Sequence, residues 1–189
     1  MIYLDNSATT RTLDIAADTA AQYMKADFFN PAAAYSAAVE VERNINSARA
    51  RLAGAIHAQS DEIIYTSGGT ESNNTAIFGA LRARRGGGRI IVGATEHPSV
   101  YEAAMSMKGP YVINEARVDK TGAYDVNMLA QSIANDVTFV SVMQVNNETG
   151  AINDIPAIYR AVKQRAPMAI MHVDGVQGFL KVPFDARYC

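Results

Sequence analysis

Four short polar stretches hold the residues of this sequence best suited to chemistry, and each follows an apolar run. Thr66-Ser67-Gly68-Gly69-Thr70-Glu71-Ser72 comes after Ile63-Ile64-Tyr65, and Thr95-Glu96-His97-Pro98 after Ile90-Ile91-Val92. Gln144-Val145-Asn146-Asn147-Glu148-Thr149-Gly150 follows a run ending at Met143, and Asp174-Gly175-Val176-Gln177 follows residues 168–173. In the first stretch, two glycines allow close backbone approach to a ligand. A helix beginning there would add unpaired N–H groups and a positive dipole end. Ser67, Thr70 and Ser72 contribute hydroxyls, so the stretch suits a phosphate. Neither nucleotide glycine motif is present, and alone the stretch reads equally as a capped glycine turn.

The other stretches divide in the same way. His97 is one of three histidines; a lone histidine is more often structural, and His57, after a long helical pattern, reads so. His97 gains weight from its company. Asn146 and Asn147 can simply close a turn with Gly150. Asp174 ends an apolar strand, so its carboxylate should be partly buried and in need of a positive partner. His172 shares its strand face. No third ligand at diagnostic spacing and no cysteine pair accompany them, so a metal is not expected.

The elements that must position these residues follow from periodicity. Ala37, Val41, Ile45, Ala48, Leu52 and Ala55 make a helical stripe. From residue 61 short continuous apolar runs, 63–65, 90–92, 139–143 and 168–173, read as strands buried on both faces. Between them lie helical stripes: Ile77, Phe78, Leu81; then Val126, Leu129, Ile133; then Ile155, Ile158, Tyr159, Val162. Asp125 and Asp154 stand at N-cap positions and Pro156 in a first turn. Such alternation predicts an α/β fold with a largely parallel sheet, and ligands in such folds bind beyond the carboxyl ends of the strands.

The chain's 189 residues are 49% apolar and 19% charged, which excludes a disordered or fibrous chain. With 17 basic and 19 acidic residues the net charge is −2, no footprint for nucleic acid. Arg82, Arg84, Arg85 and Arg89 around three glycines read as a solvated helix end. One cysteine, Cys189, suits a reducing compartment. No apolar run is long enough for a membrane span and the start lacks signal-peptide regions. The expectation is a cytoplasmic protein with no nucleic-acid or membrane partner.

A phosphate cup and a buried carboxylate facing a basic ring nitrogen together describe a site for pyridoxal 5′-phosphate. The chain closely resembles the front half of the cysteine desulfurases, the NifS/IscS-like branch of the class V aminotransferases. Five stretches carry the likeness in order: residues 3–10, 65–74, Thr95-Glu96-His97, residues 145–150, and His172-Val173-Asp174-Gly175-Val176-Gln177. The resemblance implies fold type I of the pyridoxal-phosphate-dependent transferases, with residues 1–60 leading into an incomplete large cofactor-binding domain at 61–189. It gives Gly69 and Thr70 to the phosphate and His97 to the ring face and proton movement. Asn147 and Gln177 would lie at the phenolic oxygen, and Asp174 at the ring nitrogen. The implied reaction takes L-cysteine to L-alanine and leaves sulfur as an enzyme persulfide. The implied partners are a second copy of the chain and a sulfur acceptor or iron–sulfur scaffold protein.

Three departures shape the expectation. The family's Schiff-base lysine follows the Asp174 strand in a Ser/Gly-x-His-Lys stretch, and none of Lys25, Lys108, Lys120, Lys163 or Lys181 matches it. The persulfide cysteine belongs far toward the family's C-terminus, so Cys189 does not take that role. Asn30-Pro31-Ala32-Ala33-Ala34-Tyr35 stands where the family often has Asn-Pro-Ser-Ser-x-His, which alters the substrate mouth. The chain therefore reads as a fragment, inactive alone and prone to associate. Selenocysteine lyase or another class V β-lyase, and a non-catalytic scaffold that pairs with a full-length partner, remain the alternatives.

Overall fold

The computed structural model describes residues 2–84 and 86–189. Arg85, one of the clustered arginines, lies outside them. The chain divides into two compact units, residues 1–64 and 65–189.

The first unit is helical. α1 (Asp14–Lys25) has no buried residue, whereas α2 (Ser36–Ala55) buries Ala38, Val41 and Ala53. The stripe read from the sequence holds in α2 as far as Leu52: Ala37, Ile45, Ala48 and Leu52 are half-buried beside Val41, while Ala55, at the helix end, is exposed. His57 sits just past α2 with φ of 58°, a structural role at the helix end.

The second unit is a parallel sheet between two helical layers. Its elements run α3 (Gly69–Ala83), β1 (Gly88–Gly93), α4 (Pro98–Met105), β2 (Tyr111–Ala116), α5 (Val126–Ser132), β3 (Val137–Met143), α6 (Ile155–Arg165) and β4 (Ile170–Asp174). The strand order is β2-β1-β3-β4, with every neighbouring pair parallel. One face, Ile90, Val92 and Phe139, packs on Ile77 and Leu81 of α3 and on Val100, Ala103 and Ala104 of α4. The opposite face, Ile91, Val140, Val142 and Met171, packs on Leu129 of α5 and on Ile155, Ile158 and Val162 of α6. The two-residue alternation of strand side chains accounts for this division.

The caps read from the sequence are present. Asp125 Oδ1 accepts from the N–H groups of Asn127 and Met128, and Asp154 Oδ1 from that of Ala157. Pro156 lies in the first turn of α6, where its missing N–H costs nothing.

Three readings need correction. Residues 63–65 are not a strand: Ile64 and Tyr65 are exposed and no described strand pairs with them. A strand exists by ladder pairing, and apolar composition alone does not make one. β2, by contrast, escaped the reading of apolar runs because Asn114 and Glu115 interrupt it; it is an edge strand, whose outer residues face water. The arginines are not merely solvated. Arg84 donates to the carbonyls of Thr138 and Met168, and Arg89 pairs with Asp136 at 3.0 Å. Among the described residues no helix is long and apolar enough to cross a membrane.

Candidate functional site

The chain order in the sheet reverses between β1 and β3, because β1 leads outward to β2 while β3 returns to its other side. Such a switch point leaves a crevice beyond the strands' carboxyl ends, since successive connections depart to opposite sides. The loops after β1 and β3 meet there. Asn146 Nδ2 donates to the carbonyl of Thr95 at 2.9 Å, joining them. Asn146 Oδ1 accepts from the N–H groups of Glu148 and Thr149, and its carbonyl accepts from the N–H of Gly150, whose φ is 73°. The turn-closing role of this pair thus falls to Asn146, while Asn147 is half-buried beside it.

Asp174, 4% exposed, ends β4. Its Oδ2 accepts from Asn73 Nδ2 at 2.9 Å and its Oδ1 from the N–H of Val176 at 3.0 Å. Asn73 is itself buried on α3, and the same amide nitrogen donates to Ser99 Oγ at 2.9 Å. Ser99 Oγ lies 2.8 Å from His97 Nδ1, which also accepts from the N–H of Ser99. Because Nδ1 accepts from the Ser99 N–H it carries no hydrogen, so the Ser99 hydroxyl donates to it. The neutral His97 ring then carries its proton on Nε2. A continuous chain of hydrogen bonds, His97–Ser99–Asn73–Asp174, therefore joins two of the residues singled out in the sequence through two that were not.

Gly69 and Thr70 open α3, whose first N–H groups lack helical acceptors. A Cβ at Gly69 would stand 2.9 Å from Val176 Cγ2, so the turn after β4 presses on the helix start and glycine keeps the approach open. Gln177 is half-buried in that turn. Not all the expected hydroxyls remain available. Ser67 gives its N–H and its hydroxyl to Glu71 Oε2, both at 2.6 Å, which holds the Glu71 carboxyl below the usual carboxylate range. Ser72 is tied to Thr66 at 2.7 Å. Thr70 is the hydroxyl of the three left uncommitted among the described residues.

Ser141, His172 and Asp174 line one face of the last two strands. Ser141 and His172 are register partners, and Ser141 Oγ lies 2.8 Å from His172 Nδ1. Burial pushes the His172 pKa down to about 4, against the pull of the Asp174 charge, so its ring is neutral at pH 7. Glu96, 8% exposed, stands beside this group. Burial foremost, and then the Asp174 charge, push its carboxyl up to about 8, with Ser141 drawing it back. Among the described residues no group of three or more His, Cys, Asp or Glu side chains is placed to hold a metal.

The structure fits pyridoxal phosphate on its own observations. A buried carboxylate that accepts two bonds retains lone pairs for a third donor, such as a ring N–H. On the same edge, a glycine-opened helix start offers N–H groups and one uncommitted hydroxyl to an anion.

A parallel sheet between helical layers, with its polar residues gathered at the switch point, defines the class, and the class V aminotransferase model matches residues 2–189. The chain belongs to the class V aminotransferase family. Within it, the chain is 36% identical over 189 residues to the cysteine desulfurase IscS of Neisseria meningitidis serogroup C, covering 98% of this chain and 46% of that protein. It is 35% identical to the cysteine desulfurase NifS of Azotobacter vinelandii, with the same coverage. A solved structure described as SspA in complex with cysteine superposes with a TM-score of 0.92 at 25% identity, covering 100% of this chain and 54% of that one. The chain spans about half the length of these relatives.

Proposed function

We propose that this chain is the cofactor-binding part of a pyridoxal-phosphate-dependent cysteine desulfurase, which converts L-cysteine to L-alanine and passes the sulfur on for iron–sulfur cluster assembly. The observation that carries the reading is Asp174: buried, held by Asn73 and the Val176 N–H, and placed at the same sheet edge as the glycine-opened start of α3. Relatives named cysteine desulfurases, and a similar structure described with cysteine bound, support the substrate.

When bound, pyridoxal phosphate supplies an electron sink that acidifies bonds at the α carbon of an amino-acid substrate. The chain's own residues then have separate tasks. Gly69 and Thr70 hold the phosphate with N–H groups and a hydroxyl. Asp174 accepts a ring N–H with the lone pairs that its bonds to Asn73 and the Val176 N–H leave over. His97 presents Nε2–H to the site, its ring fixed by Ser99, and moves a proton at that atom. Asn147 and Gln177 orient the cofactor's phenolic oxygen.

Among the lysines, Lys163 is tied at the opposite edge of the sheet, donating to the carbonyls of Pro167 and Ala169. On this reading the lysine that holds the cofactor and the cysteine that accepts sulfur are assigned to the half of the relatives' length that this chain does not cover. The working unit is taken as a homodimer that meets a sulfur-acceptor or iron–sulfur scaffold protein. The single cysteine fits a reducing, cytoplasmic setting. The test is an assay of alanine formed from L-cysteine. The protein expressed from its complete coding frame should form alanine in a pyridoxal-phosphate-dependent way, and residues 1–189 alone should not. A complete protein that neither binds the cofactor nor releases alanine would sink the reading.

A further inference from the structure

Glu96 is the buried ionisable group that the proposed mechanism leaves unused. It sits on the loop after β1, and neither carboxyl oxygen finds a hydrogen-bond partner among the described residues. Its surroundings are equally specific. The Tyr124 hydroxyl, also buried and unpartnered, lies against the same spot. A Cβ on Gly93 would stand 1.8 Å from Tyr124 Oη and 3.1 Å from Glu96 Cγ, so these two side chains occupy the room that glycine leaves. From β3 comes Ser141, from β4 His172 and Asp174, and from the segment before α5 Tyr124.

Two carboxyls in one dry corner do not both ionise without a cation between them. His172 supplies none, because it is neutral at pH 7. Hydrogen bonds then decide which carboxyl keeps the charge. Asp174 receives two full hydrogen bonds, whereas Glu96 feels only the Ser141 hydroxyl, which is already bonded to His172 Nδ1. We propose that Glu96 is a positioning residue that carries a proton in the resting site, so that Asp174 alone holds the negative charge of this edge and stays the acceptor for a ring N–H. A protonated Glu96 leaves one fewer uncompensated charge in a corner where the Tyr124 hydroxyl is also buried. The direction of both shifts agrees: burial and the Asp174 charge raise Glu96 to about 8, and burial and Glu96 in turn raise Tyr124.

This inference rests on the pyridoxal-phosphate reading only in the purpose given to Asp174, and the experiment separates the two. Infrared difference spectroscopy on the wild-type chain, with no cofactor added, should show the carbonyl stretch of a protonated carboxylic acid at pH 7. The band should bleach as the pH passes about 8 and be missing in Glu96→Gln at every pH. Glu96→Asp should keep a band with a displaced midpoint, which distinguishes a titrating proton from loss of packing. Pyridoxal phosphate titrated against pH then reads the coupling. Wild type should show an inflection in affinity at the band's midpoint, tighter on the alkaline side where Glu96 adds its charge, and Glu96→Gln should show none. A wild-type spectrum without the band at pH 7, or one unchanged by Glu96→Gln, overturns the proton on Glu96. Equal pH profiles of affinity in wild type and Glu96→Gln overturn its coupling to Asp174. If the protein expressed from its complete coding frame binds pyridoxal phosphate at no pH, the functional reading falls, while the band still decides the proton.

Discussion

The two ends of the same sheet use polar residues in opposite ways. At the amino ends of the strands three long polar side chains close on protein partners. Arg84 meets the carbonyls of Thr138 and Met168, Lys163 those of Pro167 and Ala169, and Arg89 the carboxylate of Asp136. At the carboxyl ends, buried groups are left over: both oxygens of Glu96, the Tyr124 hydroxyl and Gln144 Oε1. An unmade bond on a buried polar group costs about 1–3 kcal/mol, so such atoms persist where something other than stability holds them. The difference separates residues that fasten strands from buried groups that no hydrogen bond among the described residues satisfies. It is sharper than counting polar residues, which are present at both ends.

The strongest way to break this comparison is at Asp174. Asp174→Ala removes the acceptor of Asn73 Nδ2, which keeps its bond to Ser99 Oγ, and of the part-buried Val176 N–H. The expected loss of stability is about 1–3 kcal/mol. A charge-assisted bond to a ring N–H is worth about 1.5–3 kcal/mol, so pyridoxal phosphate affinity should fall by about tenfold to a hundredfold. Asn73→Ala should lose less of both, since Asp174 keeps the Val176 N–H. The double variant should lose less than the sum, because the two share one bond. Equilibrium unfolding and cofactor titration measure the two effects. Full additivity would mean that the His97–Ser99–Asn73–Asp174 chain does not act as a unit.

Next in size is the response to pH. The folded pKa of Glu96, about 8, exceeds its ordinary 4.5, so the folded state keeps a proton that the unfolded chain gives up. Stability should therefore fall as pH rises from about 4.5 to about 8, by up to about 1.4 kcal/mol per unit. His172 runs the other way. Its folded pKa, about 4, lies below 6.5, so its contribution is intact above 6.5 and is lost as pH falls toward 4. Between 4.5 and 6.5 the two slopes oppose each other. Glu96→Gln should leave the acid limb of His172 exposed and gain most over wild type above pH 8. Parallel unfolding curves for the two proteins across this range would refute the assignment.

What the sequence disclosed follows the same division. Residues whose local chemistry is complete in a few neighbours were legible: Asp125 and Asp154 as caps, Pro156 in a first turn, and Asp174 as a carboxylate carried inside by its own apolar strand. Residues whose meaning depends on distant partners were not. Ile63-Ile64-Tyr65 has the composition of a strand, but pairing decides that state, and these residues belong to none of the four described strands. Asn73 did leave a trace: it stands four and eight residues before Ile77 and Leu81, on the buried stripe of α3. A polar residue on an apolar stripe needs a partner, and here the partners are Asp174 and Ser99, 101 and 26 positions away. Glu96 left none, because only the packing of Gly93, Tyr124 and Asp174 around it makes its position unusual.

The smallest expected effect sharpens the contrast from the other side. Arg89 and Asp136 are partly exposed, at 30% and 49% of their side-chain surface, so water screens their attraction. Arg89→Ala should cost about 0.2–1 kcal/mol in chemical denaturation. The strand itself loses nothing, since the Arg89 N–H still donates to the Asp136 carbonyl at 3.0 Å and its carbonyl still accepts from Thr138 Oγ1 at 3.2 Å. Cofactor affinity should not change, because β1 joins the two ends through Ile90, Ile91 and Val92, all fully buried and well packed, and that core passes on no change of charge. A loss of more than about 2 kcal/mol, or a several-fold change in pyridoxal phosphate affinity, would show that the fastening edge also sets the geometry of the binding edge. The two ends would then be one device, and the contrast between satisfied and unsatisfied groups would no longer mark out the site.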